Sequence, residues 1–511
     1  MALGKNFRTN KKDFIQLYGL IFEKIQTEKI FPDSKTFVDS LPKRKPQDIL
    51  YDFDTQHLQT EFHLFQFVYE NFRLPDGQFP EETEEIHEDS MTKYITLLWP
   101  HLLRKPDQSI PDSTLIPLPY EYIVPGGRFR EIYYWDSFFT LLGLVADGQQ
   151  EIAINMIKNF KYLIDTVGHI PNGNRVYYLT RSQPPFYALM VDHLVQAGLI
   201  DVSEYINSVE KEYLFWMKNE EQLQDGQTEA RVVKLSKDCI ANRYYDADDT
   251  PREEGYFQDY TATQSLAPEL RSTFYRNIRA AAESGWDFSS RWFKDYKNFA
   301  SICTTDIVPV DLNCLLYFIE QKLSQWYNTK DNEKAKIYAK KAAARKAMIL
   351  QYCWSEQDTF FFDYSFSEER RTKVWSLAGV FPLYVGIASQ IQADAVAQHL
   401  QKHFLKEGGL TTTLHYTGQQ WDAPNGWAPL QYIAAEGLRR YGHIELAKEI
   451  EQRWLKTCEL NFKKTGGMYE KYDVEKPLAR AEGGEYPVQK GFGWTNGVVA
   501  IFLRQIKLPK K

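Results

Sequence analysis

The stretch from Pro125 to Thr140, PGGRFREIYYWDSFFT, combines glycines, arginines, carboxylates and aromatic side chains. Arg128, Glu131, Trp135 and Asp136 are of the types that bind polyhydroxylated ligands. Carboxylate and guanidinium groups pair with hydroxyls in fixed directions, while an indole face covers the C–H surface of a sugar ring. The alternative is a structural one, in which an arginine–carboxylate pair braces a loop.

Motifs of several other chemistries do not occur in the sequence. It contains no GxGxxG or GxxxxGK[ST] loop for a nucleotide, no HExxH zinc motif and no GxSxG nucleophile elbow. His399 and His403 have the i, i+4 spacing of a metal-binding pair, but no third ligand is evident nearby, and a solvated helix face is the simpler interpretation. We therefore predict no metal and no cofactor.

Carboxylate chemistry remains, because glycoside hydrolysis requires only a pair of carboxyl groups. The residues alone do not identify that pair among 68 acidic side chains. Asp287 in SGWDFSSRW and Glu470 in GGMYEKYDV lie in glycine-containing aromatic contexts, as do several other acids.

Composition narrows the class of partner and the compartment. A net charge of −7 without a basic block argues against nucleic acid and anionic membranes, so a small neutral ligand is expected. Five scattered cysteines without a CxxC predict reduced thiols, and the polar start MALGKNFRTNKKDF lacks the apolar core of a secretory signal. Both features predict a cytoplasmic protein. The most apolar stretch, SFFTLLGLVA, is about half the roughly 20 residues that span a bilayer.

Helical periodicity dominates the chain, and strand signals are few. Apolar segments such as 136–146 and 427–440 alternate with amphipathic ones such as 149–165 and 443–458, which predicts pairs of inner and outer helices in an all-α toroid or barrel. Periodicity does not separate a closed ring from an open solenoid. Loops rich in Gly, Pro, Asn, aromatics and charge precede the apolar helices, so a ring would bring them together at one end.

The Pro- and Lys-rich segment SLPKRKPQD, at 40–48, is the best candidate for a boundary. It predicts an N-terminal extension over 1–40, a single catalytic domain over 41–505 and a C-terminal tail over 506–511. We expect a monomer, because the helices can bury their apolar faces within one ring.

Two segments, PGGRFREIYYWDSF and QWDAPNGWAP, resemble the signature segments of the trehalases, inverting glycoside hydrolases that split α,α-trehalose into two glucoses. Further stretches resemble the same family, including IFPDSKTFVDSLP, GHIPNGNRVYYLTRSQPP, TPREEGYFQD and GGEYPVQKGFGWTNGV. The resemblance covers roughly residues 30–505. It implies an (α/α)6 toroid with a central active site, no cofactor, trehalose as the substrate and a bacterial cytoplasmic type of enzyme.

The resemblance also implies roles for individual residues. Asp287 corresponds to the general acid and Glu470 to the general base. The implied sugar-binding residues are Arg128, Trp135, Asp136, Asn172, Arg181, Gln183, Arg252, Glu254, Gly285 and Glu485, with Trp427 nearby. Which arginine faces Glu470 is left open, as is the role of Asp422.

The chain departs from the family pattern at two places. Phe138 stands where a tyrosine is usual, and the glycine run before Glu485 is reduced to Gly483 and Gly484, which could stiffen a lid. Two other functions stay open: a phosphorylase on a similar toroid, which needs no base to activate water, and a disaccharide-binding protein without catalysis.

Overall fold

The computed structural model describes residues 14–75, 88–237 and 239–507. Residues 1–13 of the predicted extension and 508–511 of the predicted tail lie outside the described residues. No helix within the described ranges is both long and apolar enough to cross a membrane.

Helices make up most of the regular structure. In chain order they are α1 (Phe14–Thr27), α2 (Lys35–Val38), α3 (Pro46–Gln56), α4 (Leu64–Asn71), α5 (Met91–Leu102), α6 (Asp136–Ala146), α7 (Gln150–Val167), α8 (Tyr187–Gln196), α9 (Ile206–Trp216), α10 (Tyr256–Ala262), α11 (Pro268–Glu283), α12 (Val310–Tyr327), α13 (Asn332–Tyr352), α14 (Phe381–Tyr384), α15 (Gln390–His399), α16 (Ala428–Arg440), α17 (Ile444–Thr465) and α18 (Gly493–Lys507).

Strands are short and form small antiparallel ribbons in the loops. They are β1 (Leu41–Pro42), β2 (Phe72–Arg73), β3 (Leu103–Arg104), β4 (Tyr122–Ile123), β5 (Thr228–Glu229), β6 (Val232–Ser236), β7 (Cys239–Asn242), β8 (Ile307–Val308), β9 (Trp354–Ser355), β10 (Phe360–Phe361), β11 (Tyr364–Ser365), β12 (Arg370–Arg371), β13 (Leu405–Lys406), β14 (Gly409–Leu410), β15 (Asn425–Trp427) and β16 (Lys471–Asp473). Pairing joins β1 with β2, β3 with β4, β9 with β10, β13 with β14 and β15 with β16, while β5–β6–β7 and β8–β11–β12 form three-stranded ribbons. In the ribbon that matters for the site, Trp427 of β15 lies opposite Lys471 of β16.

The inner helices form a closed ring. Successive contacts run from α6 to α8, α12, α14, α16 and α18, and α18 packs back on α6. The helices that alternate with them in sequence, α5, α7, α9, α13, α15 and α17, form the outer layer of an (α/α)6 barrel. The predicted all-α toroid is confirmed. Periodicity did not separate a closed ring from an open solenoid, and the packing of α18 on α6 shows a closed ring.

Ring closure depends on a close helix crossing between α6 and α18. A Cβ on Gly143 would lie 2.4 Å from the Cα of Gly497, and a Cβ on Gly497 would lie 2.1 Å from the carbonyl oxygen of Phe139. A side chain at either position would force the two backbones apart, so both glycines are required for the first and last inner helices to meet.

The N-terminal helices α1 to α4 pack against the barrel through a second apolar cluster. Phe22, Phe37 and Phe53 belong to it, and so do Tyr133 and Tyr178 from loops at the barrel mouth. Residues before 41 therefore help to form the same end of the barrel as the predicted site loops.

Candidate active site

All thirteen residues implied by the family resemblance line one cavity at the N-terminal ends of the inner helices. They are Arg128, Trp135, Asp136, Asn172, Arg181, Gln183, Arg252, Glu254, Gly285, Asp287, Trp427, Glu470 and Glu485. Glu131, a candidate from residue type alone, does not line the cavity and instead forms a buried brace with Lys35 and Arg175. The cavity together with the solvent at its mouth encloses about 720 Å³ of space outside the protein atoms.

The barrel positions these side chains through the starts of its inner helices. Asp136 is the first residue of α6, and Trp427 immediately precedes α16. Glu470 lies next to β16, and its carbonyl oxygen accepts a 2.9 Å hydrogen bond from Nε1 of Trp494 in α18. Residues distant in sequence thus converge because the helix ring is closed.

Asp287 lies in the loop that follows α11. Burial raises its pKa to about 6, although the positive charges of Arg252 and Arg181 oppose the shift. Its carbonyl oxygen accepts a hydrogen bond from the side-chain amide of Gln420. The carboxyl group therefore lies in a dry environment, which keeps it protonated to a higher pH than an exposed aspartate.

Glu470 is the second carboxyl group of central interest and is 1% exposed. Burial raises its pKa to about 7, and the charge of Asp287 adds to the shift, while Lys471 and Arg128 lower it. Its Oε1 is buried without a hydrogen-bond partner among the described residues. Of the arginines considered from the sequence, Arg128 is the one that acts on Glu470, but Lys471 has the larger effect.

Two further carboxyl groups in the cavity also have pKa values raised by burial. Burial raises the pKa of Asp136 to about 8, and the charges of Asp287 and Glu470 act in the same direction. Burial also raises the pKa of Glu485 to about 7, although Arg252 opposes the shift. Closely spaced carboxyls in a dry cavity cannot all ionise at once, so protons are held within the site at neutral pH.

Glu254 is the exception among the acids of the cavity. Burial opposes its ionisation, but the cations Arg181, Arg252 and Arg279 hold its pKa below the usual range. Glu254 accepts a hydrogen bond from Nη2 of Arg181. A permanently charged acceptor of this kind suits the binding of sugar hydroxyls.

Two arginines of the cavity are held by hydrogen-bond partners that fix their guanidinium planes. Arg181 donates from Nε to Oδ1 of Asn172 at 3.0 Å. Arg252 donates to Asp259 and, from Nη2, to Glu485 at 3.0 and 3.1 Å. These pairs leave little rotamer freedom, so the binding groups are preorganised.

Arg128 is the third cavity arginine. Its Nε lies 3.5 Å from Oδ2 of Asp33, and its guanidinium lies 4.6 Å from the ring centroid of Tyr486. It is therefore held between the N-terminal segment and the segment that carries Glu485.

Indole rings form the apolar wall. Trp421 stacks on Trp427 with ring centroids 4.0 Å apart and an interplanar angle of 4°. Trp494 packs edge-on to this pair, Trp135 packs on Trp421 at an interplanar angle of 41°, and both line the cavity. Trp286 stacks on Trp421 with ring centroids 5.3 Å apart. This surface can cover the C–H face of a sugar ring.

Gly285 allows the chain to approach Trp135. Its φ is +74°, and a Cβ at this position would lie 2.8 Å from the indole Cε2 of Trp135. A glycine is therefore required on both conformational and steric grounds.

Gln183 also fixes Trp135, because its Oε1 accepts a 3.1 Å hydrogen bond from the Trp135 backbone N–H.

Asp422, whose role the sequence did not indicate, supports the loop that carries Asp287. Its buried carboxylate accepts hydrogen bonds from both the N–H and the hydroxyl of Ser290 and from the hydroxyls of Ser289 and Thr413. Asp422 is a positioning residue and does not line the cavity.

Sequence reasoning missed several residues that line the cavity: Lys35, Phe129, Tyr133, Tyr178, Trp421, Tyr486, Phe492 and Trp494. Most lie inside the motifs that carry the resemblance, so the motifs themselves were a sufficient signal. Lys35 also lies inside such a segment, IFPDSKTFVDSLP, but its residue type gave no indication of a buried role, because a lone lysine is normally exposed.

The two departures from the family pattern fall in different environments. Phe138 is 2% exposed and packs on Phe186 within the helix bundle, so the missing hydroxyl does not face the cavity. Gly483 and Gly484 have φ of +84° and +100°, and a Cβ on either would lie 2.5 or 2.6 Å from an oxygen of Gly418 or Gln420. The shortened glycine run therefore packs tightly against the segment that contains Gln420.

His399 and His403 lie together away from the cavity. Their ring centroids are 5.8 Å apart, and His399 contacts the hydroxyl of Thr359 at 3.0 Å. Within the described ranges, no group of three or more His, Cys, Asp or Glu side chains is arranged to hold a metal ion.

Proteins of known sequence and structure resemble this chain over most of its length. The periplasmic trehalase of Salmonella agona is 45% identical over 489 residues, which is 95% of this chain and 85% of the relative, and that of Escherichia coli is 45% identical over 492 residues. The neutral trehalase of Saccharomyces cerevisiae aligns with a TM-score of 0.62 at 27% identity and covers 76% of this chain and 74% of its own. A mannosylglycerate hydrolase from Thermus thermophilus shares the fold, with a TM-score of 0.53 at 17% identity, over 81% of this chain and 100% of its own.

The relatives correct one prediction. The cytoplasmic location inferred from the sequence is wrong, since the relatives at 45% identity are named periplasmic trehalases. The cysteine argument failed for a physical reason: Cys303, Cys314, Cys353 and Cys458 are buried free thiols. A buried thiol is chemically inert, so its reduced state does not report the compartment.

The trehalase family profile matches residues 29–507, which include every residue of the cavity named above. Together with identity of 45% over 95% of the chain, this match shows that the protein belongs to the trehalase family.

Proposed function

We propose that this chain hydrolyses α,α-trehalose to two glucose molecules with inversion, with Asp287 as the general acid and Glu470 as the general base. The observation that carries the proposal is the pair itself: two buried carboxyl groups with raised pKa values in one cavity of an inverting glycoside hydrolase family. Inversion needs one carboxyl protonated and the other ionised at the same time.

In the first part of the reaction, Asp287 transfers its proton to the glycosidic oxygen as the bond from that oxygen to the anomeric carbon breaks. Burial in the cavity favours the protonated form that this step requires. The departing sugar leaves as a neutral glucose that retains its α configuration, because its own anomeric bond is not broken.

In the second part, Glu470 accepts a proton from a water molecule as the oxygen of that water attacks the anomeric carbon from the opposite face. The unpartnered Oε1 of Glu470 is the acceptor that such a water requires. The charges of Lys471 and Arg128 stabilise the ionised carboxylate. The sugar that is attacked leaves as β-glucose.

The remaining cavity residues bind the two sugar rings. Arg181 and Arg252, held by their carboxylate partners, donate to hydroxyls, while Glu254 accepts from them. Trp135 and Trp427 cover apolar ring faces. Because Arg181 and Arg252 are buried, their contacts with a ligand are stronger than the same contacts in water.

A proton NMR time course with α,α-trehalose tests this function directly. The anomeric signals should show equal early amounts of α- and β-glucose, before mutarotation mixes them. Release of α-glucose alone would indicate retention and refute the roles of Asp287 and Glu470. Unchanged trehalose would refute the activity, and rapid turnover only with added phosphate would favour the phosphorylase alternative.

We also propose that the protein is a monomer and that it acts in the periplasm. The closed ring buries the apolar faces of its helices within one chain, and the relatives at 45% identity carry periplasmic names. Light scattering after size exclusion tests the first proposal, and trehalase activity released by osmotic shock tests the second. The boundary at residue 40 stays a prediction, with the addition that Lys35 lines the cavity.

A further inference from the structure

Lys471 is a buried lysine directly after the proposed base, and it is 1% exposed. Its ammonium donates to the carbonyl oxygen of Gly483 at 2.7 Å and to Oε1 of Gln420 at 3.0 Å, and it lies 5.3 Å from the ring centroid of Trp427. Among the described residues, no carboxylate oxygen lies within the 4 Å of an ion pair. A buried ammonium with only neutral partners is costly, so a role that uses its charge is indicated.

Gln420 extends this contact to the proposed acid. While its Oε1 accepts from Lys471, its Nε2 donates to the backbone carbonyl oxygen of Asp287. The backbone of Gln420 is itself fixed, because its carbonyl oxygen accepts from Nε1 of Trp427 at 3.0 Å. One side chain therefore connects the ammonium of Lys471 with the peptide unit of Asp287.

The same lysine holds the Glu485 segment, residues 482–486, against the cavity. In this segment the carbonyl oxygen of Gly483 accepts from Lys471, and that of Glu482 accepts from Nδ2 of Asn425 at 2.8 Å. Beyond these anchors, Glu485 reaches Arg252. Residues of β15 and β16, together with Gln420, thus hold the Glu485 segment in place.

We propose that Lys471 and Gln420 are positioning residues that join the Glu485 segment to both proposed catalytic carboxyls, so that seating of this segment and alignment of Asp287 and Glu470 depend on the same contacts. The inference rests on the proposed function. Lys471 acts on the base through its charge, and Gln420 acts on the acid through the Asp287 peptide.

The charged groups around Glu470 determine how a substitution of Lys471 changes the pKa of Glu470. Lys471 and Arg128 favour its ionised form, and Asp287 disfavours it. Asp136 lies close enough for the charge of Glu470 to raise its pKa as well. Removing the ammonium takes away the larger of the two stabilising charges, so the pKa of Glu470 should rise and the acidic limb of kcat/KM should move to higher pH.

The test compares three variants at Lys471 and Gln420 with one matched control in the full chain. Lys471→Met removes the charge and both hydrogen bonds, Lys471→Arg retains the charge, and Gln420→Met breaks the connection to Asp287 while leaving the ammonium. Lys463→Met is the control, since Lys463 is exposed and its ion pair is with Glu459 on the same helix, α17. The kcat, KM and pH profile of trehalose hydrolysis are measured for each.

For Lys471→Met we expect kcat/KM to fall about 100-fold, the effect typical of a displacement of about 1 Å, with the acidic limb shifted upward. Lys471→Arg should return the acidic limb of kcat/KM to its wild-type pH. Gln420→Met should lower kcat and leave the pH of that limb unchanged. A Lys471→Met profile that superimposes on that of the wild type would overturn the proposal, even if the amount of active protein falls. A wild-type protein that leaves trehalose intact would instead refute the proposed function.

Discussion

Replacing Asp287 by asparagine separates the proposed acid from the proposed base when two substrates are compared. Trehalose needs a proton on its departing oxygen, whereas α-glucosyl fluoride releases a fluoride ion that needs none. Loss of a general acid costs on the order of 10² to 10⁴ in rate. Asp287→Asn should therefore lose about that factor on trehalose and less than about tenfold on the fluoride, while Glu470→Gln should lose both activities.

The magnitude follows from the surroundings of the two carboxyls. With pKa values of about 6 for Asp287 and about 7 for Glu470, roughly one-quarter of the molecules carry a protonated Asp287 at pH 6.5, and roughly one-quarter carry an ionised Glu470. About 6% therefore carry both forms if the groups titrate independently. On the wild-type enzyme, the ratio of kcat/KM for trehalose to kcat/KM for the fluoride should fall about tenfold per pH unit above 6, since only trehalose requires the protonated acid.

Initial rates with both substrates, measured from pH 5 to about 8.5, provide the assay. The ratio of the two rates cancels every group that the substrates share, so it reports Asp287 alone. Asp225→Asn, at an exposed position, controls for the loss of a carboxylate. Equal losses on both substrates in Asp287→Asn, or a ratio that does not vary with pH, would refute the assignment of Asp287 as the acid.

Three further predictions concern the pH profile and two buried groups. The kcat/KM for trehalose should be highest between about pH 6 and 7, because Glu470 gains a proton below its pKa of about 7 and Asp287 loses one above its pKa of about 6; a flat profile from pH 5 to 9 would contradict this. Lys35→Met should lower the free energy of unfolding in urea by about 3 kcal/mol, because Asp39 and Glu131 lose a buried cation, and a loss below about 1 kcal/mol would contradict the importance of the pairing. Asp422→Asn should lower kcat about 10- to 100-fold without changing the product anomers, which NMR can check, since its amide cannot accept every hydrogen bond that supports the Asp287 loop.

Long helices with a clear apolar face were predictable from the sequence. Segments 136–146 and 427–440 correspond closely to α6 and α16 because their burial is nearly complete and their ends carry strong signals. Helix α11 was missed because its sequence, PELRSTFYRNIRAAAE, is polar on average. Its Arg279 is nonetheless buried, paired with Asp246, and such pairing is invisible before the fold is known.

The candidate site was predictable only where a motif carried it. Residue chemistry indicated a sugar-binding cavity, but it did not choose Asp287 and Glu470 from the other acids, and the family resemblance made that choice. Lys35 and Lys471 lie inside quoted segments, but their residue type gave no indication of a role in the site, because lysines at 2% and 1% exposure contradict the usual rule for that residue. Their burial depends on partners that only tertiary structure supplies.

Closure of the ring and burial of these lysines have a common consequence for the site. Lys35 contacts Glu131 across 96 positions of sequence, and Lys471 contacts Gln420 across 51. Each contact joins a segment outside the inner helices to a loop that begins one, so the cavity is complete only when the N-terminal helices and the Glu485 segment are both seated. Since an unpaired buried charge is expensive, a molecule with either segment displaced is disfavoured, and the charges that assist catalysis also select the assembled state of the site.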